Sequence, residues 1–86
     1  MENSKQQLNE ALGTELRVLR ARHKLSQEQL AIALEPYFGR APHTSTISAW
    51  ENGLTSISVE LLSAYAGAFE IGIGDIIRSA GLDRAA

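Results

Sequence analysis

The chain has no cysteine and only two prolines among its 86 residues. Without cysteine neither a disulfide framework nor a thiolate zinc site can add to the stability of the fold. A chain of this length forms one small domain that buries only roughly 60–65% of the surface it would expose unfolded. No apolar run is long enough to span a bilayer, and the polar opening MENSKQQLNE lacks the hydrophobic core of a signal peptide, so a cytoplasmic location is expected. No glycine-rich phosphate loop is present, and His23 and His43 do not fall at zinc-ligand spacing. Catalysis, a cofactor and a metal are therefore not expected. No segment alternates with the period of a strand.

Basic charge is also scarce, with a formal net charge of −2, but it is unevenly placed. Residues 17–40 carry Arg17, Arg20, Arg22, Lys24 and Arg40 against Glu28 and Glu35. Residues 44–86 carry Arg78 and Arg84 against Glu51, Glu60, Glu70, Asp75 and Asp83. One face is basic and another acidic, and a local field of this kind decides whether a polyanion is attracted.

What the chain does have is helical periodicity. Leu8, Leu12, Leu16 and Leu19 predict a first helix from residue 8 or 13 to Lys24, preceded by a frayed arm. In LSQEQLAIAL, Ser26 is a good N-cap, Gln29 completes a capping box, and Leu25 with Leu30 can staple it. Pro36 predicts that this second helix stops near Leu34, leaving EPYFGRAPH (35–43) as a loop. A third helix starts at Thr44 or Ser45 and stops at Asn52-Gly53. Ser58 caps a fourth, with the apolar stripe Val59, Leu62, Tyr65, Ala66 and Phe69, and a last short helix runs from Ile73 to Ala80 with Gly81 as its stop. The fold class is all-α.

The third helix, in HTSTISAWENG, has two unlike sides. Ile47, Trp50 and Glu51 fall together and read as an anchor, with Trp50 in the core. Thr44, Ser45, Ser48 and Ala49 fall towards the other side and offer hydroxyls and a methyl. Its first-turn N–H groups carry the positive end of the helix dipole and suit a phosphate. A short polar face beside a basic patch suits a DNA major groove, where Ser and Thr bond several base edges and alanine touches a thymine methyl.

LRVLRARHKLSQEQLAIAL followed by TSTISAWENG resembles the helix-turn-helix domain of the Xre/Cro repressor family. The likeness runs from about Leu12 to Ile77 and includes SVELLSAYAGAFEIGIGDII, which is similar to the family's fourth and fifth helices. It implies a five-helix lambda-repressor-like domain, with residues 1–11 as an arm or helix extension, 12–82 as the domain and 83–86 as a tail. It also implies that Ser26 and Gln27 bind a phosphate, and that Thr44, Ser45 and Ala49 face base edges with Ser48 nearby and Asn52 at the helix end. Ala31 would be the small residue where the two helices of the motif cross. Arg20 and Glu51 match a structural ion pair between the first and third helices.

Three features depart from the family pattern. The stretch between the second and third helices is longer than usual, and its Arg40 and His43 are candidates for phosphate contacts, with Tyr37 or Phe38 packed beneath. Leu54 stands where a basic residue is common. The reading face has no Gln, Asn or Arg at positions 44, 45 and 49.

The function implied is a bacterial or phage-encoded transcriptional regulator, a repressor binding double-stranded DNA as a homodimer on a partly palindromic operator. The expected dimer surface is Ile73, Ile76, Ile77 and Leu82. The alternative is a protein-binding module of the same fold, such as an antitoxin whose acidic half engages a protein partner.

Overall fold

The computed structural model describes residues 4–82. It contains five helices: α1 (Ser4–Arg22), α2 (Gln27–Phe38), α3 (Thr44–Glu51), α4 (Val59–Phe69) and α5 (Ile73–Ser79). No strand occurs among the described residues. None of their helices is long and apolar enough to cross a membrane. The expected tail at 83–86 lies outside the described residues.

α1 begins at Ser4, earlier than its apolar spacing predicts, and the expected arm is helical from there. Gly13 does not interrupt it. A Cβ at this position would run into the Trp50 carbonyl oxygen, so the missing side chain lets α3 lie directly against α1. Beyond the end of α1 the chain turns at a left-handed residue, Lys24 (φ 57°), with the Leu25 N–H donating to the Arg20 carbonyl at 3.1 Å. α3 closes in the same way at Gly53 (φ 69°), where the Leu54 N–H reaches the Ala49 carbonyl at 2.9 Å. The stop expected at Asn52-Gly53 is therefore observed.

α2 opens on the predicted capping box, with the Gln29 N–H donating to Ser26 Oγ and the Ser26 N–H to Gln29 Oε1. It does not stop at Leu34. Pro36 lies inside the helix, which continues to Phe38 and closes at Gly39 in the left-handed region (φ 81°). The bond proline removes is the one to the Ile32 carbonyl, on an exposed residue where water can replace it. The extra turn is held by tertiary contacts that local propensity does not reveal. The Tyr37 ring sits against Gly67, where a Cβ would approach it to 2.6 Å, and Phe38 lies 6.2 Å from the Trp50 ring. The stretch expected as a loop over 35–43 is thus helix to Phe38, and only residues 39–43 connect α2 to α3.

The core joins Leu12, Leu16 and Leu19 of α1 to Leu30 and Leu34 of α2, Ile47 of α3, Leu61, Leu62 and Tyr65 of α4, and Ile76 of α5. α3 packs on α1 and α2, while α5 packs on α1 and α4. Two expectations about facing need correction. Val59 is 71% exposed, because α4 turns Leu61 and Ala64 inward between α2 and α5 instead. Ile76 is 1% exposed and belongs to the core, Ile73 and Leu82 are half-buried against it, and Ile77 is half-buried. Ile76 is therefore occupied within the chain and is withdrawn from the expected dimer surface.

Candidate nucleic-acid interface

α3 has one buried turn and one open face. Ile47 and Glu51 are buried and Trp50 is half-buried. Thr44, Ser45 and Asn52 are exposed, with Ser48 and Ala49 half-exposed. The register expected from helical spacing is the one observed.

The anchor of this helix is an ion pair. Arg20 Nε donates to Glu51 Oε2 at 2.6 Å and Arg20 Nη2 to Oε1 at 2.9 Å, while Nη1 donates to the Leu25 carbonyl at 3.0 Å. One guanidinium thus ties α1, α3 and the turn into α2 together, in a planar two-point contact that a lysine does not reproduce. The Glu51 side chain is only 2% exposed. Its hydrogen bond raises the Arg20 pKa despite the opposing effect of burial. Beneath the pair, the Tyr65 ring meets Trp50 edge-on at 6.4 Å, and its hydroxyl is buried with no hydrogen-bond partner. Desolvation pushes the Tyr65 pKa up, and the Glu51 charge adds to this.

The sequence-predicted candidates fall into three places. Ser26, Gln27 and Thr44 line an open groove between the start of α2 and the start of α3, together with Arg20 and Glu28. Gln27 Nε2 donates to Glu51 Oε1 at 3.3 Å, which fixes the orientation of its amide because a carboxylate only accepts. Ser26 Oγ accepts the cap bond from Gln29, and its hydroxyl proton remains a donor. Glu28 at the mouth of this groove opposes an incoming phosphate.

Ser48 and Asn52 form a second group, at the other end of α3. Asn52 Nδ2 donates to the Ser48 carbonyl at 2.9 Å and contacts Ser48 Oγ at 3.3 Å. Arg40 and His43 stand apart from both groups. They line a hollow with Phe38, Thr46 and Trp50, on the edge of α3 away from Ser48. Phe38 packs beneath this connection as expected, whereas Tyr37 packs on α4. His43 is the N-cap of α3 but makes no side-chain cap bond.

Arg17 was not among the predicted site residues. Its Nη2 donates to Asn52 Oδ1 at 2.6 Å and to the Glu51 carbonyl at 3.4 Å, with half of its side chain exposed. The sequence held a signal for it. Arg17 lies one helical turn before Arg20, so a partner on the third helix for one places the other against the same helix. Of the basic cluster on α1 and the turn after it, Arg20 is engaged inside the fold, and Arg17, Arg22 and Lys24 remain at the surface.

A family profile described as a helix-turn-helix domain matches residues 11–72. Among solved structures, the chain is similar to the clp gene regulator ClgR from C. glutamicum, with 28% identity and a TM-score of 0.74 over 90% of this chain and 92% of that one. No curated protein matches it.

Proposed function

The chain belongs to the helix-turn-helix domain family of DNA-binding proteins, and from that premise we propose that it is a transcriptional regulator reading double-stranded DNA through α3. The observation that carries this reading is the division of α3: an anchor of Ile47, Trp50 and Glu51 on one side, and Thr44, Ser45, Ser48 and Ala49 free on the other. An anchored helix with no bulky outward side chain can approach base edges closely. The groove of Ser26, Gln27 and Thr44 and the surface cations Arg22 and Arg40 supply phosphate contacts that set register. ClgR, described as a gene regulator, supports the same class of function.

An eight-residue recognition helix spans only a few base pairs. Useful discrimination therefore calls for two copies on a partly palindromic operator, with their α3 helices about 34 Å apart. Repression follows by occupancy of that operator. A protein-binding role has one observation in its favour, a hollow of about 430 Å³ lined by Tyr37, Phe38, Val59 and Glu60.

Selection from random double-stranded DNA at low salt, followed by titration of the enriched sequence at two salt concentrations, tests the proposal. The expected result is an inverted repeat bound more weakly at higher salt. No enriched sequence together with salt-independent behaviour would reject DNA reading and leave the hollow beside Val59 as the functional surface.

A further inference from the structure

Asn52 stands at the end of the outward face, where an asparagine is expected to read adenine through its oxygen and its amino group together. Its amide is already committed at both ends. Arginine only donates, so the Arg17 guanidinium, 2.6 Å away, requires the Asn52 carbonyl oxygen to face it. A flipped amide would turn its NH₂ group against a cation. The amino group is thereby directed back at Ser48, where it meets both the main-chain carbonyl and Oγ. Ser48 Oγ thus accepts from Asn52. Among the described residues no protein group accepts its hydroxyl proton.

We propose that Arg17 and Asn52 are positioning residues that hold the Ser48 hydroxyl as an outward hydrogen-bond donor, so that Ser48 selects a base presenting a major-groove acceptor oxygen. This inference rests on α3 being the DNA-reading helix. A serine hydroxyl that rotates freely can donate or accept and tolerates many base edges. A serine with one of its two lone pairs facing Asn52 has its proton and its second lone pair directed away from that contact. Guanine O6 and thymine O4 take this proton, which accepting from Asn52 makes a stronger donor, whereas the amino groups of adenine N6 and cytosine N4 must share an oxygen that already accepts. The consequence is a keto-over-amino preference at one position of each half-site, about fivefold for a single net hydrogen bond.

The polarity of this relay can be reversed chemically. Asn52→Asp keeps an acceptor for Arg17 but removes the donor to Ser48; its second oxygen, repelled by the main-chain carbonyl that Nδ2 reaches at 2.9 Å, is left with the Ser48 hydroxyl as its donor, so the serine proton turns inward and its lone pairs face out. The keto preference at that position should invert to adenine or cytosine, on top of a uniform loss of affinity from the added negative charge. Arg17→Ala frees the amide and the hydroxyl and should flatten the same position. Arg17→Lys, which still donates to Asn52 Oδ1, should retain the preference. A cation acting only on phosphate behaves differently: its loss weakens all sequences alike and lowers the salt slope by about one.

The experiment is selection from random duplex DNA with the full chain and with these variants, using Ser48→Ala to identify the base-pair position involved. Asn52 and half of the Arg17 side chain are exposed, and circular dichroism melting confirms that each variant is folded. Inversion by Asn52→Asp with flattening by Arg17→Ala supports the relay. An enriched operator whose base preferences are unchanged in Asn52→Asp or Ser48→Ala overturns it while leaving DNA reading intact. Complete loss of binding by Arg17→Ala, with the Asn52→Asp preferences unchanged, makes Arg17 a phosphate ligand and also overturns it. Failure of the wild-type chain to enrich any sequence overturns both readings.

Discussion

The two halves of α3 are held in different ways. Its C-terminal half is gripped by α1: the Trp50 carbonyl lies against Gly13, Glu51 is chelated by Arg20, and Asn52 is bound by Arg17. Its N-terminal half follows a five-residue connection and starts at an N-cap without a side-chain bond, and it is held by Ile47 in the core without an ion pair of its own. The helix is therefore oriented from its far end. At the other end the Thr44 and Ser45 N–H groups are free to meet a phosphate, while the Thr46 N–H already donates to the His43 carbonyl at 3.0 Å.

Breaking the gripped end should have the largest effect. Arg20→Ala leaves the Glu51 carboxylate buried with only Gln27 and a more distant Arg17 nearby, and is expected to cost about 3 kcal/mol in denaturant unfolding. Glu51→Gln should cost less, because the Arg20 side chain is 19% exposed and can recover water. Equal losses would mean that the pair is not the buried anchor described.

Gly13→Ala comes next. Alanine improves helix propensity by about 1 kcal/mol, but its Cβ collides with the α3 backbone. A net loss of about 2 kcal/mol is expected, typical of overpacking. A thermal melt showing stabilisation would contradict the close approach.

Alkaline pH probes the group beneath the anchor. Burial raises the Tyr65 pKa above the roughly 10 of an unfolded tyrosine, so its contribution to stability is complete below pH ~10 and is lost as pH rises from there toward the folded-state value. The stability difference between the wild type and Tyr65→Phe should move against the wild type by ~1.4 kcal/mol per pH unit above about 10. Below that pH, removing a hydroxyl with no partner should be neutral or mildly stabilising. A phenylalanine variant with the same alkaline limb as the wild type would show that Tyr65 does not carry it.

The smallest change sharpens the comparison at the loose end. His43 already has the extended backbone of an N-cap (φ −69°, ψ 149°) without the bond. His43→Ser should supply it and gain about 0.5–1 kcal/mol in a urea titration. No gain would indicate that the start of α3 is already as well held as its end.

Much of the architecture could be read from local chemistry. Ser26 and Ser58 cap as their positions predict, Gly53 closes α3, and the alternation of Ile47, Trp50 and Glu51 with small polar residues fixes which side of α3 faces out. The failures share a cause. α2 runs past Pro36 because Gly67 and Trp50, distant in sequence, receive Tyr37 and Phe38. Ile76 is buried because α1 and α4 converge on a helix too short for its own pattern to show a facing. Arg17 meets Asn52 across 35 residues of chain, a pairing at which only its place one turn before Arg20 hints. Each is a tertiary contact overriding a local preference, and the last lies within the candidate site itself.

The most direct test of α3 as the reading helix is to map amide chemical-shift changes in the labelled full chain on addition of a selected duplex. The account predicts the largest changes at Gln27, Thr44, Ser45, Ser48, Ala49 and Asn52. Changes confined to Tyr37, Phe38 and the 57–82 half, with α3 unmoved, would contradict it.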